Sequence, residues 1–247
     1  MNLSQVIRRA LNDCNVIRQD GTTRATGISR QNGIWVNTST QTMRYGAAST
    51  VSVTALTGTY VGTMRTTGTA GTTTLEFGGT TGAAGGDPGF IYIWNTYNRV
   101  DYSAYVYDTT DSWNYALTTV RASNNSTSNR VSFVRGLDED IVTCFHPRVA
   151  TVSVGDGSTG FVRQGIGLDS TSAFSTLSTI ATNYVQPTGA ALALNIYAQG
   201  SFMALPGLGF HYLQALEAAS TTGTITIYGD GGASTLVRGG LIFKGAF

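Results

Sequence analysis

The strongest constraint on this chain is the alternation of polar and apolar residues in short segments between Phe90 and Phe247. In the segment RVDYSAYVYD, every second residue from Val100 to Val106 is apolar or aromatic. A period of two is typical of a β-strand with one buried face. Ten such segments follow one another, separated by turns rich in Gly, Asn and Asp. This pattern predicts an all-β domain over 87–247, an antiparallel β-sandwich with a jelly-roll-like arrangement.

The composition agrees with an all-β fold and excludes several classes of protein. Thr, Ser and Gly make up 89 of the 247 residues, and these residue types suit strands and turns better than helices. Hydrophobic residues are 41% of the chain, which disfavours disorder. The net charge is +1, so no long-range field attracts nucleic acid. Because no segment reaches ~20 continuous apolar residues, we expect no membrane span.

The chain divides by pattern into three segments, 1–32, 33–86 and 87–247. The Thr/Gly-rich tract 33–86 alternates like strands, but it contains few large apolar residues. Such a tract cannot close a generous core alone, and it needs the rest of the chain or other copies of itself. The glycine-rich stretch TGAAGGDPG ends in the turn signal Asp87-Pro88-Gly89 and predicts the boundary of the last domain.

The N-terminal segment 1–32 predicts a short helix followed by an extended arm. Apolar residues recur at helical spacing in residues 2–17, and three arginines six residues apart follow in or beside the arm. Two interpretations are open: the helix packs on its own chain, or helix and arm attach the protein to a partner. The residues of the attachment hypothesis are Leu3, Val6, Ile7, Ala10, Leu11, Arg18, Arg24 and Arg30.

Two features of the sequence predict folding in a reducing cytoplasm. Arg8 and Arg9 interrupt the apolar pattern of the N-terminus, which is therefore unlike a signal peptide. Two cysteines, Cys14 and Cys144, do not make a disulfide framework. We expect both thiols to be reduced.

The inventory of reactive residues predicts a protein that is not an enzyme. The sequence contains no P-loop, HExxH, CxxC or GxSxG motif, and Lys244 is the single lysine. Cys144 and His146 share one face of a strand, but we expect a packed thiol beside a hydrogen-bonded histidine. The acidic run 138–140 lacks calcium-loop spacing, which favours a solvated turn. We therefore expect no catalytic residue, no cofactor and no metal site.

Aromatic residues are the remaining enrichment, with a dense group between Tyr92 and Tyr115. Tyr and Trp combine a flat apolar face with a polar group, so they serve both as core and as contact platforms for sugars or proteins. In alternating strands about half of them face inward. The residues of the contact hypothesis, for a glycan or a partner, are Tyr92, Trp94, Tyr97, Trp113 and Tyr115.

Several segments together resemble virion structural proteins of tailed bacteriophages. They are a short N-terminal helix and arm, a Thr/Gly-rich strand tract, and a β domain beginning GGDPGFIYIWNTYNRVDYSAYVYD. The segments NRVSFVRGLDEDIV, PGLGFHYLQALE and YGDGG…GGLIFKG are similar to C-terminal domains of phage appendage or head-decoration proteins. The similarity covers roughly 90–247 and supplies no motif with an assigned role.

The resemblance implies a jelly-roll-like fold, a homotrimer, and attachment to the capsid or another virion protein. We therefore expect a non-enzymatic virion subunit, a head fibre or capsid decoration protein anchored by its N-terminus. The alternative is a host-surface carbohydrate-binding module of a tail fibre or another receptor-binding appendage. Low charge and many strands agree with a protein that buries surface against copies of itself.

Overall fold

The computed structural model describes residues 27–45, 49–69, 72–75, 78–79, 81–232 and 237–247. Within these residues the chain is built from β-strands, with a single 3₁₀ turn at Ser123–Asn125. The predicted N-terminal helix lies outside the described residues. Over the part of the chain that the structure describes, no helix has the length and apolar character needed to cross a bilayer.

The contacts divide the chain into two units, Met1–Gly62 and Thr63–Phe247. The described part of the first unit contains two antiparallel hairpins. Its strands are β1 (Ile28–Gln31), β2 (Ile34–Asn37), β3 (Gln41–Tyr45) and β4 (Ser49–Val53). Asn32 and Gly33 join β1 to β2, and both have positive φ angles, 49° and 87°. A two-residue Asn-Gly turn suits the twist of a hairpin because both positions accept a left-handed backbone.

The second unit carries the remaining strands, the first of which begins at the unit boundary. They are β5 (Gly62–Met64), β6 (Gly78–Gly79), β7 (Gly89–Ile91), β8 (Ile93–Asn95), β9 (Asp101–Tyr107), β10 (Ser112–Asn114), β11 (Arg121–Ala122), β12 (Arg130–Arg135), β13 (Val142–Val154), β14 (Gly160–Leu168), β15 (Ser178–Thr179), β16 (Ala181–Val185), β17 (Leu192–Ala204), β18 (Gly209–Ala219), β19 (Thr224–Tyr228) and β20 (Gly240–Ala246).

Two sheets form the body of this unit. In the eight-stranded sheet the order is β10-β19-β13-β20-β9-β6, with β17 beside β13 and β15 beside β17. In the six-stranded sheet the order is β16-β14-β18-β12-β7, with β11 beside β18. The pairs are antiparallel apart from β6–β9 and β7–β12. The predicted all-β, sandwich-type architecture is therefore confirmed.

The long strand β13 shows why this sequence builds a sandwich. Its even-numbered residues from Val142 to Val154 are buried, while its odd-numbered residues are partly or fully exposed. One apolar cluster of the interior joins residues of both sheets, including Val152 and Val162. Elsewhere in the interior Phe133 of β12 packs on Phe243 of β20, with ring centroids 5.3 Å apart. Alternation along each strand thus supplies the inner face of each sheet.

The contacts divide the chain after Gly62, whereas the sequence predicts a domain boundary at 86/87. The described residues of 63–86 contact the β domain at several points. The Arg65 amide donates to the Tyr92 carbonyl at 2.8 Å, and β6 pairs with β9. The Gly85 amide donates to the Asp108 carboxylate at 2.8 Å. The glycine-rich stretch is therefore a turn within the domain rather than a linker before it.

Candidate functional site

The attachment residues fall mostly beyond what the structure covers. Leu3, Val6, Ile7, Ala10, Leu11, Arg18 and Arg24 lie outside the described residues, and their role stays a prediction. Arg30 is in β1, where it is exposed and stands opposite Trp35. Its position on a solvated hairpin leaves the guanidinium accessible.

The structure separates the aromatic residues that the sequence grouped together. Trp94 is 1% exposed, and Tyr115 is buried in an apolar cluster with its hydroxyl donating to the Thr119 carbonyl at 2.6 Å. These two rings belong to the core and offer no face to a ligand, which corrects the contact hypothesis for them. Tyr97 is exposed and Trp113 is partly exposed, whereas Tyr92 is buried, with 9% of its surface exposed.

Trp113 leads to a polar layer inside the sandwich, centred on the buried carboxylate of Glu217. The Trp113 indole N–H lies 3.1 Å from both carboxylate oxygens. Arg121 donates from Nε at 2.9 Å and forms an ion pair from Nη2 at 2.8 Å. The Ser123 hydroxyl and the Asn124 amide each donate at 3.2 Å. Burial raises the pKa of Glu217, and the charge and hydrogen bonds of Arg121 oppose that rise.

Arg148 is the buried cation that faces Glu217 from the opposite sheet. It donates to the Tyr228 carbonyl at 3.2 Å and to the Ser123 hydroxyl at 3.4 Å, and its guanidinium lies 5.0 Å from the Trp113 ring centroid. Burial lowers the pKa of Arg148, and the negative charge of Glu217 opposes this. Glu217 is ion-paired with Arg121 of its own sheet, and Arg148 faces it from the opposite sheet without a direct ion pair. Pairing and hydrogen bonding are the conditions under which buried charges are tolerated.

Asp108 accepts the hydrogen bonds of a second part of the same polar layer. Its carboxylate accepts from the Gly85 and Thr110 amides at 2.8 and 2.9 Å, and from the Asn124 and Asn129 side chains at 2.9 and 3.2 Å. Burial acts to raise the pKa of Asp108, but these hydrogen bonds outweigh it and the pKa lies below its usual value. The residue therefore ties turn 81–86 and loop 123–129 to the domain.

Cys144 and His146 face the interior from β13 and are completely enclosed. Burial raises the pKa of the Cys144 thiol far above neutrality. Burial and the nearby charge of Arg148 lower the pKa of His146 to about 3. The His146 Nδ1 lies 3.1 Å from the Gly165 carbonyl, so Nδ1 carries the proton and donates. A protonated thiol beside an enclosed histidine is a packing arrangement rather than a nucleophile and its base.

Two carboxylates of the acidic run 138–140 form ion pairs with arginine. Arg99 pairs with Glu139 at 3.0 Å and also with Asp140. The buried Arg135 donates to the Asp140 carbonyl at 2.6 Å. Among the described residues, no group of three or more His, Cys, Asp or Glu side chains is placed to hold a metal ion.

The outer face of the eight-stranded sheet is apolar over much of its width. On β13, Phe145 stands opposite Ile242 of β20, which stands opposite Tyr105 of β9. A second row runs through Tyr197 of β17 and Val149 of β13 to Tyr228 of β19. We call this set, with Met203 added, the outer apolar face: Tyr105, Phe145, Val149, Tyr197, Met203, Tyr228 and Ile242. Met203 is 68% exposed.

Strand β17 forms an edge of this sheet for most of its length. One side of β17 pairs with β13 throughout, and the other side pairs with β15 only at Phe202 and Ser201 within the described residues. Leu192 and Leu194 stand opposite the buried Val154 and Val152, yet they are 40% and 42% exposed. An apolar row of the inner face therefore continues to the edge and meets solvent there.

The sequence of β17 indicates that its edge is unprotected. The 13 residues of β17 include no charged side chain and no proline. Natural edge strands are commonly protected by lysine, proline or bulges, because an unprotected edge pairs with other chains. A long uncharged strand that is also an edge is a candidate for self-association.

Comparison with known proteins finds no family model that matches this sequence and no curated protein that matches it.

Proposed function

We propose that this protein is a non-enzymatic structural subunit that works as a homo-oligomer, most simply a trimer. The observation that carries the proposal is the uncharged edge of β17, with Leu192 and Leu194 open to solvent. The outer apolar face adjoins this edge along the same strand. Exposed apolar patches of this kind mark interaction sites.

The occupant that fits these surfaces is a second copy of the chain. Strand β17 has no charged side chain, and on the outer face Lys244 is paired with Asp101 at 3.0 Å. A chain with net charge +1 also repels its own copies little. Packing the exposed Leu192 and Leu194 of one copy on the outer apolar face of the next uses two different surfaces. Such a head-to-tail contact closes into a ring when the rotation between copies allows it. A three-fold ring is the arrangement that the resemblance to phage virion proteins implies.

The same resemblance supports a place in a bacteriophage virion, as a head fibre or capsid decoration subunit. In this proposal the β domain faces outward, and segment 1–32 attaches it to the capsid or another virion protein. Virus particles are purified by density and probed with an antibody raised against the chain. We expect the antibody to detect the protein in the purified particles. If the chain is found only outside particles, the virion assignment is wrong.

Oligomeric state tests the assembly proposal directly. Light scattering of the full chain at ~50 µM should give about three times the 26.0 kDa chain mass. Leu194→Lys on the edge and Met203→Lys on the outer apolar face should shift the mass to that of the monomer, because each places a charge in a dry contact. The matched control is Leu117→Lys, which is 52% exposed on a different segment and should stay oligomeric.

Two results would contradict the proposal. A monomeric wild-type chain would exclude a structural oligomer. Folded Leu194→Lys and Met203→Lys variants that keep the wild-type mass would show that the copies meet through other surfaces.

A further inference from the structure

A groove of about 300 Å³ opens beside the six-stranded sheet, on the side of β7 and the segment before it. All of its wall belongs to the second unit. The residues that matter for its chemistry are Arg65, Thr66, Thr67, Thr74, Phe90 and Tyr92. The groove thus combines one cation, three threonine hydroxyl groups and two aromatic rings.

Arg65 is held in place by ring stacking and by its backbone rather than by a carboxylate. Its amide donates to the Tyr92 carbonyl at 2.8 Å, and its guanidinium carbon lies 3.4 Å from the Phe210 ring centroid and 5.4 Å from that of Tyr92. A guanidinium stacked on a ring keeps its N–H donors in the plane, where they are available to another group. Over the described ranges no carboxylate lies within ion-pair distance of Arg65, whereas Arg99 and Arg121 are both paired.

The aromatic wall follows from strand register. Phe90 of β7 and Tyr212 of β18 both stand opposite Ser132 of β12, so they share the outer face of the sheet. Ring contacts then run from Phe90 to Tyr92 at 5.5 Å and from Tyr92 to Phe210 at 6.1 Å. This packed ladder gives the groove a stiff floor on which Arg65 rests.

The threonine side of the groove is tied down by its own hydrogen bonds. The Thr67 amide donates to the Thr72 carbonyl at 2.8 Å, and the Thr69 amide donates to the Thr67 hydroxyl at 3.3 Å. Thr66 and Thr74 line the groove on either side of this turn. Thr67, the stacked cation and the rings are therefore in place before any ligand arrives.

We propose that this groove binds a saccharide unit that carries a negative charge. Arg65 pairs with the carboxylate or phosphate of the sugar, because a guanidinium matches either group with two parallel hydrogen bonds. The hydroxyls of Thr66 and Thr74 bond to ring hydroxyls, and Phe90 contacts the apolar C–H face of the ring. The volume accommodates about one or two sugar rings. This inference goes beyond the assembly function and does not depend on it.

The test compares two sugars that differ at a single carbon. D-Glucuronate carries a carboxylate where D-glucose carries a hydroxymethyl group, and each is titrated into the full chain with ligand-observed NMR. We expect glucuronate to bind in the millimolar range and at least ~10-fold more tightly than glucose, which corresponds to one favourable charged contact. Glucose 6-phosphate, titrated in the same way, decides whether carboxylate or phosphate is preferred.

Two variants assign the binding to the groove. Arg65→Gln should abolish the preference for glucuronate over glucose. Arg238→Gln is the matched control, since Arg238 is also exposed and stacked on a ring, 4.8 Å from the Tyr107 centroid, but lies outside the groove. Thr74→Val removes one hydroxyl while leaving the stacked arginine untouched, and it should weaken glucuronate binding several-fold.

The proposal is overturned if neither charged sugar binds, or if glucose binds as well as glucuronate. It is equally overturned if folded Arg65→Gln and Thr74→Val proteins both bind glucuronate like the wild type. Thermal melting of each variant establishes that it is folded. Each of these outcomes leaves the assembly proposal untouched, because that proposal is read from mass rather than from sugar binding.

Discussion

At the scale of single residues, the notable feature is a set of charges enclosed between two sheets. Glu217 receives hydrogen bonds from four residues, and Arg148 approaches it from the other sheet. Removing one partner from such a network is costly because it leaves a charge buried and uncompensated. The layer therefore specifies how the two sheets face each other, since another register would leave the buried charges of Glu217 and Arg148 without their partners.

His146, two residues from Arg148 on β13, makes the stability of the fold depend on pH. Its pKa is about 3 in the folded protein and 6.5 when unperturbed, so the folded state excludes a proton that the unfolded chain binds. The stability from neutral His146 is complete above pH 6.5 and is lost as the pH falls toward 3. At pH 4.5 the loss amounts to about 3 kcal/mol of unfolding free energy.

His146→Asn isolates this contribution. The asparagine amide can donate to the Gly165 carbonyl as Nδ1 does, but it does not titrate. Urea unfolding at pH 7 and pH 4.5 should show a smaller acid loss in the variant than in the wild type, by about 3 kcal/mol. Equal losses in the two proteins would show that His146 is not the group responsible.

At the scale of elements, the two sheets approach each other closely where β17 crosses β14. A Cβ added at Gly200 would lie 2.6 Å from the Gly165 Cα and 2.8 Å from the Gln164 carbonyl oxygen. Both are backbone atoms and cannot rotate away. Glycine at this position therefore sets the spacing between the sheets, and the neighbouring His146–Gly165 hydrogen bond depends on that spacing.

Gly200→Ala tests the close approach. We expect a loss of about 3 kcal/mol in unfolding free energy, because the strands must separate to admit a methyl group. Gly155→Ala is the control, since no atom lies within 4 Å of its added Cβ, and its stability should change by less than ~0.5 kcal/mol. Urea unfolding measures both. A Gly200→Ala protein as stable as the control would contradict the close packing.

At the scale of the whole molecule, the second unit contains its own core and its own polar layer. Gly85 and Thr81 join the preceding segment to this unit, through the hydrogen bond from the Gly85 amide to Asp108 and the one from the Tyr107 hydroxyl to the Thr81 carbonyl. A fragment that starts at the predicted boundary would leave the Asp108 carboxylate without one of its donors. The unit that folds should therefore begin at Thr63.

The expected result is that fragment 63–247 melts in one cooperative transition, followed by circular dichroism. Fragment 87–247 should be less stable by at least about 2 kcal/mol, since a buried charged group loses a hydrogen bond. Equal melting of the two fragments would show that residues 63–86 contribute nothing to the domain. A broad, non-cooperative melt of 63–247 would show that the unit needs the rest of the chain.

The amino-acid sequence by itself determined which segments are strands and which of their sides face inward. Alternation in β13 and the Asn32-Gly33 turn are local signals, since strand period and turn conformation depend on residues next to each other. The sequence also marks β17 as uncharged. None of these signals states which strand lies beside another, because pairing joins residues far apart in the chain.

Only the tertiary structure decided what each face meets. It placed Trp94 and Tyr115 in the core, although the sequence grouped them with exposed aromatic residues, because a period of two does not say which sheet covers a side chain. It brought Glu217 to Trp113 and Arg121, about a hundred residues away. It also joined 63–86 to the β domain and left β17 at an edge. These outcomes follow from long-range pairing and close packing, which no local pattern encodes.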